Sequence, residues 1–320
     1  MFLGALAFGL PLCWLISQGH SKQAAFAGFG IIVSLFMDIG STRRLRLESM
    51  LVGNVLIVCA AALSMAINDF WLPWLIGLVV LLSFIGSSLA AGFALDLKLR
   101  MLAAAYLVAY PGSLITSEIL PMYLAGASCT MLLSTAFAPR MNNPIAAAIT
   151  PHWRNDWLQL RAGHKAGITF GVFLGFACVS SFFAAHSFHL LAPNIAAVTT
   201  LMVFRPEPDR TSSTIWLRLI GVLLASILAW ALVFPAASSW TLLGLAIVAG
   251  AFVPVAFANG LMYVAALITF IMYVLLALLG IHGHTAQHAA EMRVIETLLG
   301  ALIAAFFAMI YELLNSKTTP

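Results

Sequence analysis

The chain has 320 residues, of which 62% are hydrophobic and 8% charged, and its net charge is +4. Soluble domains carry about 25% charged residues, and so little polar surface cannot cover a water-soluble protein of this length, so the bilayer is the expected solvent. No basic run with interleaved aromatics is present, which sets a nucleic-acid module aside.

A spanning helix needs about 20 mostly apolar residues. Cutting the chain at charges and turn residues predicts twelve apolar helices, at 2–17, 23–38, 49–67, 71–94, 101–117, 119–138, 166–185, 190–204, 217–235, 239–256, 260–280 and 292–314. No basic segment precedes the first and no small-residue cleavage site follows it, so it is expected to stay as a membrane helix. Pro111-Gly112 interrupts the fifth, and Ser117-Glu118 separates it from the sixth. Pro254 and Asn259-Gly260 interrupt the boundary of the tenth and eleventh. Broken helices of this kind line transport sites or make ordinary turns. In the polar stretch 139–165, Thr150 is positioned to cap a short helix with Pro151 at its first position. Trp153 and Trp157 share a face of that helix, which reads as an amphipathic segment on the inner membrane surface.

Charge sets the orientation. With the N-terminus in the cytoplasm, the inner loops and their flanks hold Arg43, Arg44, Arg46, Lys98, Arg100, Arg140, Arg154, Arg161, Lys165, Arg205, Arg210, Arg218 and Lys317. Only Lys22 and Arg293 fall elsewhere, as the positive-inside rule expects for an even number of spans with both termini cytoplasmic.

The halves also resemble each other. A shift of 168 residues places Phe36 on Phe204 and Gly53 on Gly221, and brings Trp71 within one position of Trp240. The expected fold is therefore all-α, a polytopic membrane protein of about 12 transmembrane helices in two parallel six-helix repeats. The first repeat spans 1–138, a cytoplasmic linker with the amphipathic helix spans 139–165, and the second repeat spans 166–320. Such repeats place substrate sites at their interface.

The second half carries a recognisable series of motifs. It begins Arg161-Ala-Gly-His-Lys-Ala-Gly and continues through Ala192-Pro-Asn-Ile-Ala-Ala-Val-Thr-Thr-Leu-Met-Val-Phe. Arg205-Pro-Glu-Pro-Asp-Arg210 and Arg218-Leu-Ile-Gly221 follow, then Arg293-Val-Ile-Glu-Thr-Leu-Leu-Gly. This pattern resembles the fusaric-acid-resistance-like family, which includes aromatic-acid exporters and is distantly similar to plant aluminium-activated malate channels. The resemblance covers about 160–315. It implies export or permeation of organic anions, paired six-helix units, a bacterial inner-membrane location and a periplasmic adaptor of the membrane-fusion type; a homo-oligomer is also open. Larger members have a sizeable cytoplasmic domain, whereas about 25 residues join the halves here.

The candidate residues follow from charge. Arg205, Arg218 and Arg210, with Arg43, Arg44 and Arg46 in the counterpart loop, are candidates for binding a substrate carboxylate, because the planar guanidinium can grip it with two hydrogen bonds. They serve equally as topology determinants. Arg293 and Glu296 lie three apart on the last helix and can pair or carry a coupling proton, and Glu118 is a further proton candidate. His282, His284 and His288 have an H-x-H-x3-H spacing in what reads as an outer loop, where a solvated role outweighs a metal site. The four cysteines have no ligand spacing, and no cofactor is expected. With no G-x-x-x-x-G-K-[ST], G-x-S-x-G or H-E-x-x-H motif, an enzyme is not expected. A passive anion channel and a non-transporting scaffold subunit are the competing readings.

Overall fold

The computed structural model describes residues 2–40, 42–67, 71–89, 92–109, 119–137, 152–235, 238–281 and 283–315. Among these residues there is no strand, and there are thirteen helices. They are α1 (Phe2–Ser17), α2 (Ser21–Met37), α3 (Arg43–Ile67), α4 (Trp71–Ser88), α5 (Phe93–Val108), α6 (Ile119–Phe137) and α7 (Trp153–Arg161). After these come α8 (Ile168–Ser187), α9 (Pro193–Val203), α10 (Pro208–Leu232), α11 (Ser239–Asn259), α12 (Leu261–Leu278) and α13 (Gly283–Asn315).

Among the described residues each of the twelve predicted apolar segments overlaps a helix, though the segment 71–94 spans the end of α4 and the start of α5, and much of 101–117 lies outside the described residues; α7 is the amphipathic helix. Eight helices (α3, α4, α6, α8, α10, α11, α12 and α13) are long and apolar enough to cross a membrane. The chain is a multi-pass membrane protein. The apolar helices α1, α2 and α9 are shorter, at 16, 17 and 11 residues. The 16 residues of α5 include Asp96, Lys98 and Arg100.

Several helices begin earlier than their apolar runs. Arg43, Arg44 and Arg46 stand in the first turn of α3 rather than in a loop, where Thr42 Oγ1 accepts the Leu45 N–H at 3.2 Å. Residues 95–100 are helical, not an inner loop. Pro208 is the first residue of α10, a position that suits its fixed φ and missing N–H. The amphipathic helix is capped by His152, whose Nδ1 accepts the Arg154 N–H at 3.3 Å; Thr150 and Pro151 lie outside the described residues. His284 and His288 lie on α13 rather than in a loop, because the Ala-rich stretch after Gly283 favours helix.

The helices gather into two compact units, and each draws on both halves of the sequence. Unit 1 comprises residues 1–54, 115–150 and 217–294, and unit 2 comprises residues 55–114, 151–216 and 295–320. Unit 1 is cored by Phe8, Leu12, Ile31, Phe36, Phe270 and Val274. Unit 2 is cored by Trp74, Leu78, Tyr106, Phe170, Leu174 and Phe204.

Glycines set the closest approaches. In unit 1, a Cβ at Gly4 of α1 would overlap the Gly250 carbonyl of α11. In unit 2, a Cβ at Gly171 of α8 would overlap the Ser83 carbonyl of α4, and one at Gly86 would stand 2.7 Å from Gly171 Cα. A second pair of crossings behaves alike. A Cβ at Gly126 of α6 would overlap the Ala27 carbonyl of α2, and a Cβ at Gly300 of α13 would overlap the Ala196 carbonyl of α9. Small residues let helix backbones touch inside a bilayer, where lipid gives apolar side chains no reason to prefer each other.

A buried joint fixes α7 to α5. Asp156 points inward, and its Oδ2 accepts the Leu95 N–H at 2.9 Å, satisfying a donor in the first turn of α5. Gly92 sits at φ +144 beside this carboxylate, which a Cβ would overlap. The exposed side of α7 carries Arg154, Trp157, Leu158 and Arg161. Gly92→Ala therefore both strains the backbone and displaces Asp156. The expected result is faster tryptic cleavage after Arg161 and Lys165 in the purified variant, with Asp156→Asn giving a smaller effect because one acceptor oxygen remains. Identical cleavage rates would show that the joint does not hold α7.

Candidate functional site

Ionisable groups on apolar helices are costly, so they face the protein interior, pair with one another and mark pathways. Unit 2 buries two cations on one turn of α5, Lys98 at 1% exposure and Arg100 at 2%. Asp96 and Arg100 are one helical turn apart and pair at 3.1 Å. Arg100 also donates to the carbonyls of Leu201 and Phe204, the latter at 3.2 Å. These carbonyls close α9, where no following turn can bond them, and a cation there meets the negative end of the helix dipole. Lys98 precedes the apolar run that starts at Met101; burial pushes its ammonium down to about 8, and the Asp156 carboxylate opposes that shift.

The other end of α9 is matched by an anion. Glu296 of α13 is 2% exposed, and its Oε1 accepts the N–H of Ala192, the residue that caps α9, at 2.6 Å. An 11-residue helix, about 16 Å long, thus lies between a buried carboxylate and a buried guanidinium. Inside it, Thr200 Oγ1 contacts Ser181 Oγ at 2.5 Å and donates to the Gly300 carbonyl at 2.8 Å. Arg205, just beyond α9, donates to Asp96 Oδ2 at 2.9 Å, so Asp96 bridges two guanidiniums. The Arg205 side chain keeps 26% exposure. Its geometry shows what it binds: a carboxylate.

Unit 1 has a separate cluster. Asp38, at the end of α2, accepts from Arg46 Nε at 2.6 Å, from a second Arg46 nitrogen, and from Ser134 Oγ at 2.7 Å. Arg46 is thereby neutralised. Arg43 reaches the Ala136 carbonyl at 3.4 Å, and Arg44 is exposed. Arg210 is exposed and stands 4.0 Å from Glu207.

Arg205 and Arg218 do not flank one loop. Arg205 precedes α10, whereas Arg218 is that helix's eleventh residue, about 15 Å along its axis. The helix continues through Thr211-Ser-Ser-Thr214, polar residues that the apolar run excludes and the backbone does not. Arg218 shares its face with the buried Val222, Ala225, Ala229 and Val233. Arg293 lies on the face of α13 that buries Ala286, Ala290 and Thr297. Glu118 falls outside the described residues. His288 stands 4.0 Å from Glu291 on the surface of α13, and no group of three metal-ligating side chains occurs among the described residues.

The sequence reading passed over Asp96 and Arg100 as a site. The signal was there: an acid and a base four apart, directly ahead of an apolar run. Treating 95–100 as a loop hid it.

Residues 177–307 match the profile of the fusaric acid resistance protein-like family. The matched segment contains α9 with both flanking charges Arg205 and Glu296, and also Arg210, Arg218 and Arg293. No curated protein and no solved structure matches the chain.

Proposed function

We propose that the chain is a bacterial inner-membrane secondary transporter that exports small organic anions, aromatic carboxylates in particular. The observation that carries this reading is the family match over residues 177–307, a segment that holds Arg205 at the end of α9 and Arg218 and Arg293 on apolar helices. Arginines on membrane helices are expensive, and they suit a substrate whose carboxylate must leave water. Arg205 already holds a carboxylate, that of Asp96, and an incoming substrate competes for the same donor. Glu296, buried at the start of α9, is the coupling-proton candidate.

In this reading, twelve helices cross the membrane as two parallel six-helix repeats, with both termini cytoplasmic. The paired crossings support the repeat. The first helix of each half meets the fourth of the other, through Gly4 and Gly250 and through Gly171 and Gly86; the second meets the sixth of its own half, through Ala27 and Gly126 and through Ala196 and Gly300. Export beyond a second membrane calls for a periplasmic adaptor of the membrane-fusion type.

The test is efflux of labelled benzoate from proteoliposomes, comparing wild type, protein-free vesicles and the Arg205→Ala plus Arg218→Ala double variant. The expected result is protein-dependent flux that falls at least about tenfold in the double variant, the loss expected from one charge-assisted hydrogen bond of about 1.5 kcal/mol. No flux above protein-free vesicles would overturn the transport reading, and undiminished flux in the double variant would remove these arginines from it.

A further inference from the structure

The helix α7 turns outward a face that contact with water alone does not explain. Arg154, Trp157, Leu158 and Arg161 follow one another at i, i+3, i+4 and i+7, so they share one side of the helix. All four are exposed, with Trp157 at 45% and Leu158 at 61%. On the opposite side Asp156 points inward to the Leu95 N–H, which fixes the rotation of α7 and keeps this face outward. Asp156 is also the one acid in the sequence 152–165, whereas Arg154, Arg161 and Lys165 are cations. The outward face is therefore positive and apolar together, and a side solvated by water gains nothing from an exposed tryptophan and leucine.

The neighbours of α7 place it where the hydrocarbon ends. Residues 162–167 alone separate it from α8, and the Gly167 N–H donates to the Ser87 carbonyl, in the last turn of α4, at 3.2 Å. Both α4 and α8 are long and apolar enough to cross a membrane, so α4 ends and α8 begins on one membrane face, and α7 is tethered there. Tryptophan and basic side chains suit that depth, where one end of a side chain meets acyl chains and the other meets headgroups. We infer that the outward face of α7 docks on anionic phospholipid headgroups of the surrounding bilayer. Arg161 and Lys165, with Arg154 beside them, take the lipid phosphates, and Trp157 and Leu158 enter the boundary between headgroups and acyl chains. The joint at Asp156 carries the docking inward: a lipid-held α7 holds the first turn of α5, the helix that carries Asp96 and Arg100. None of the arginines given to the substrate takes part, so the docking stands apart from the transport reading.

The experiment follows the melting temperature of purified full-length protein in detergent during titration with phosphatidylglycerol and, separately, with phosphatidylcholine. The wild-type melting temperature is expected to rise with phosphatidylglycerol and not with phosphatidylcholine, and the midpoint of the rise is expected to move to more lipid at high salt. In Arg161→Gln plus Lys165→Gln the midpoint is expected about thirtyfold higher, from about 1 kcal/mol for each cation at an anionic surface. Both positions are exposed, so the variant should fold as wild type does. A second measurement needs no charge change. In vesicles of equal parts phosphatidylcholine and phosphatidylglycerol, the emission that is lost in Trp157→Phe is expected to be quenched by lipids brominated close to the headgroup. Equal responses to the two lipids, or an unmoved midpoint in the double variant, overturn the docking. Unquenched Trp157 emission overturns it too, and leaves the face to a protein partner.

Discussion

Arg100→Met is expected to destabilise the protein by about 3–5 kcal/mol, the loss found when one partner of a buried ion pair is removed. The substitution strips donors from the carbonyls of Leu201 and Phe204 and leaves Asp96 with Arg205 alone. The whole C-terminal end of α9 then lacks its clamp, and an 11-residue helix has little intrinsic stability to fall back on. Arg100→Lys restores a point charge but cannot reach three acceptors with one fork, so it should recover only part of the loss. Unfolding by titration with SDS in mixed micelles measures both. A change under about 0.5 kcal/mol, the level of an ordinary surface substitution, would show that α9 does not depend on Arg100. Glu296→Gln is the companion variant at the other end. It keeps an acceptor oxygen for the Ala192 N–H but loses the favourable charge at the helix N-terminus, so it should lower stability less than Arg100→Met does.

The second large effect concerns the helix crossings. Gly4→Ala and Gly171→Ala each place a methyl on a neighbouring backbone carbonyl, which cannot swing aside as a side chain can. Overpacking of this kind costs about 1–3 kcal/mol, and valine at either position should prevent the crossing from forming. Gly244→Ala is the control. It lies on the same helix as Gly250, no atom lies within 4 Å of its added Cβ, and alanine favours helix over glycine by about 1 kcal/mol. Its stability should therefore hold or rise. The crossing in unit 1 and the one in unit 2 should respond alike, because in each a glycine lies against a backbone carbonyl of the facing helix. Melting temperatures in detergent, read alongside size-exclusion profiles, check this. A tolerated Gly171→Ala would mean that α4 and α8 are not held at backbone distance.

The two effects also separate two kinds of constraint. Arg100 acts through electrostatics and backbone satisfaction, so its loss should deepen with any condition that further desolvates α9. The glycine crossings act through shape alone, so they should be insensitive to pH and salt. Measuring both series at low and high ionic strength distinguishes them, since screening reaches partly exposed groups such as Arg205 far more than close packing.

What the sequence determined by itself was the class of solvent, and with it the class of fold. A chain with so few charges must place its helices in lipid, and among the described residues the apolar runs are helical over most of their length because a bilayer leaves the backbone no other partner. The motifs of the second half were also legible, and the family match falls within them. Helix starts were not legible. A charge marks where hydrocarbon ends, but helical hydrogen bonding continues past it; Arg43, Lys98 and Arg218 all stand inside helices for that reason. Partners separated in sequence by a hundred residues were not legible either. That Arg100 closes α9, that Glu296 opens it, and that Asp96 meets Arg205 depend on which helix packs against which. In this chain small residues make that choice, through backbone contacts such as those of Gly4, Gly171 and Gly300. Hydropathy reports only that a helix is apolar; close approach depends on one missing methyl on the correct face, so only the tertiary structure decided which charges meet.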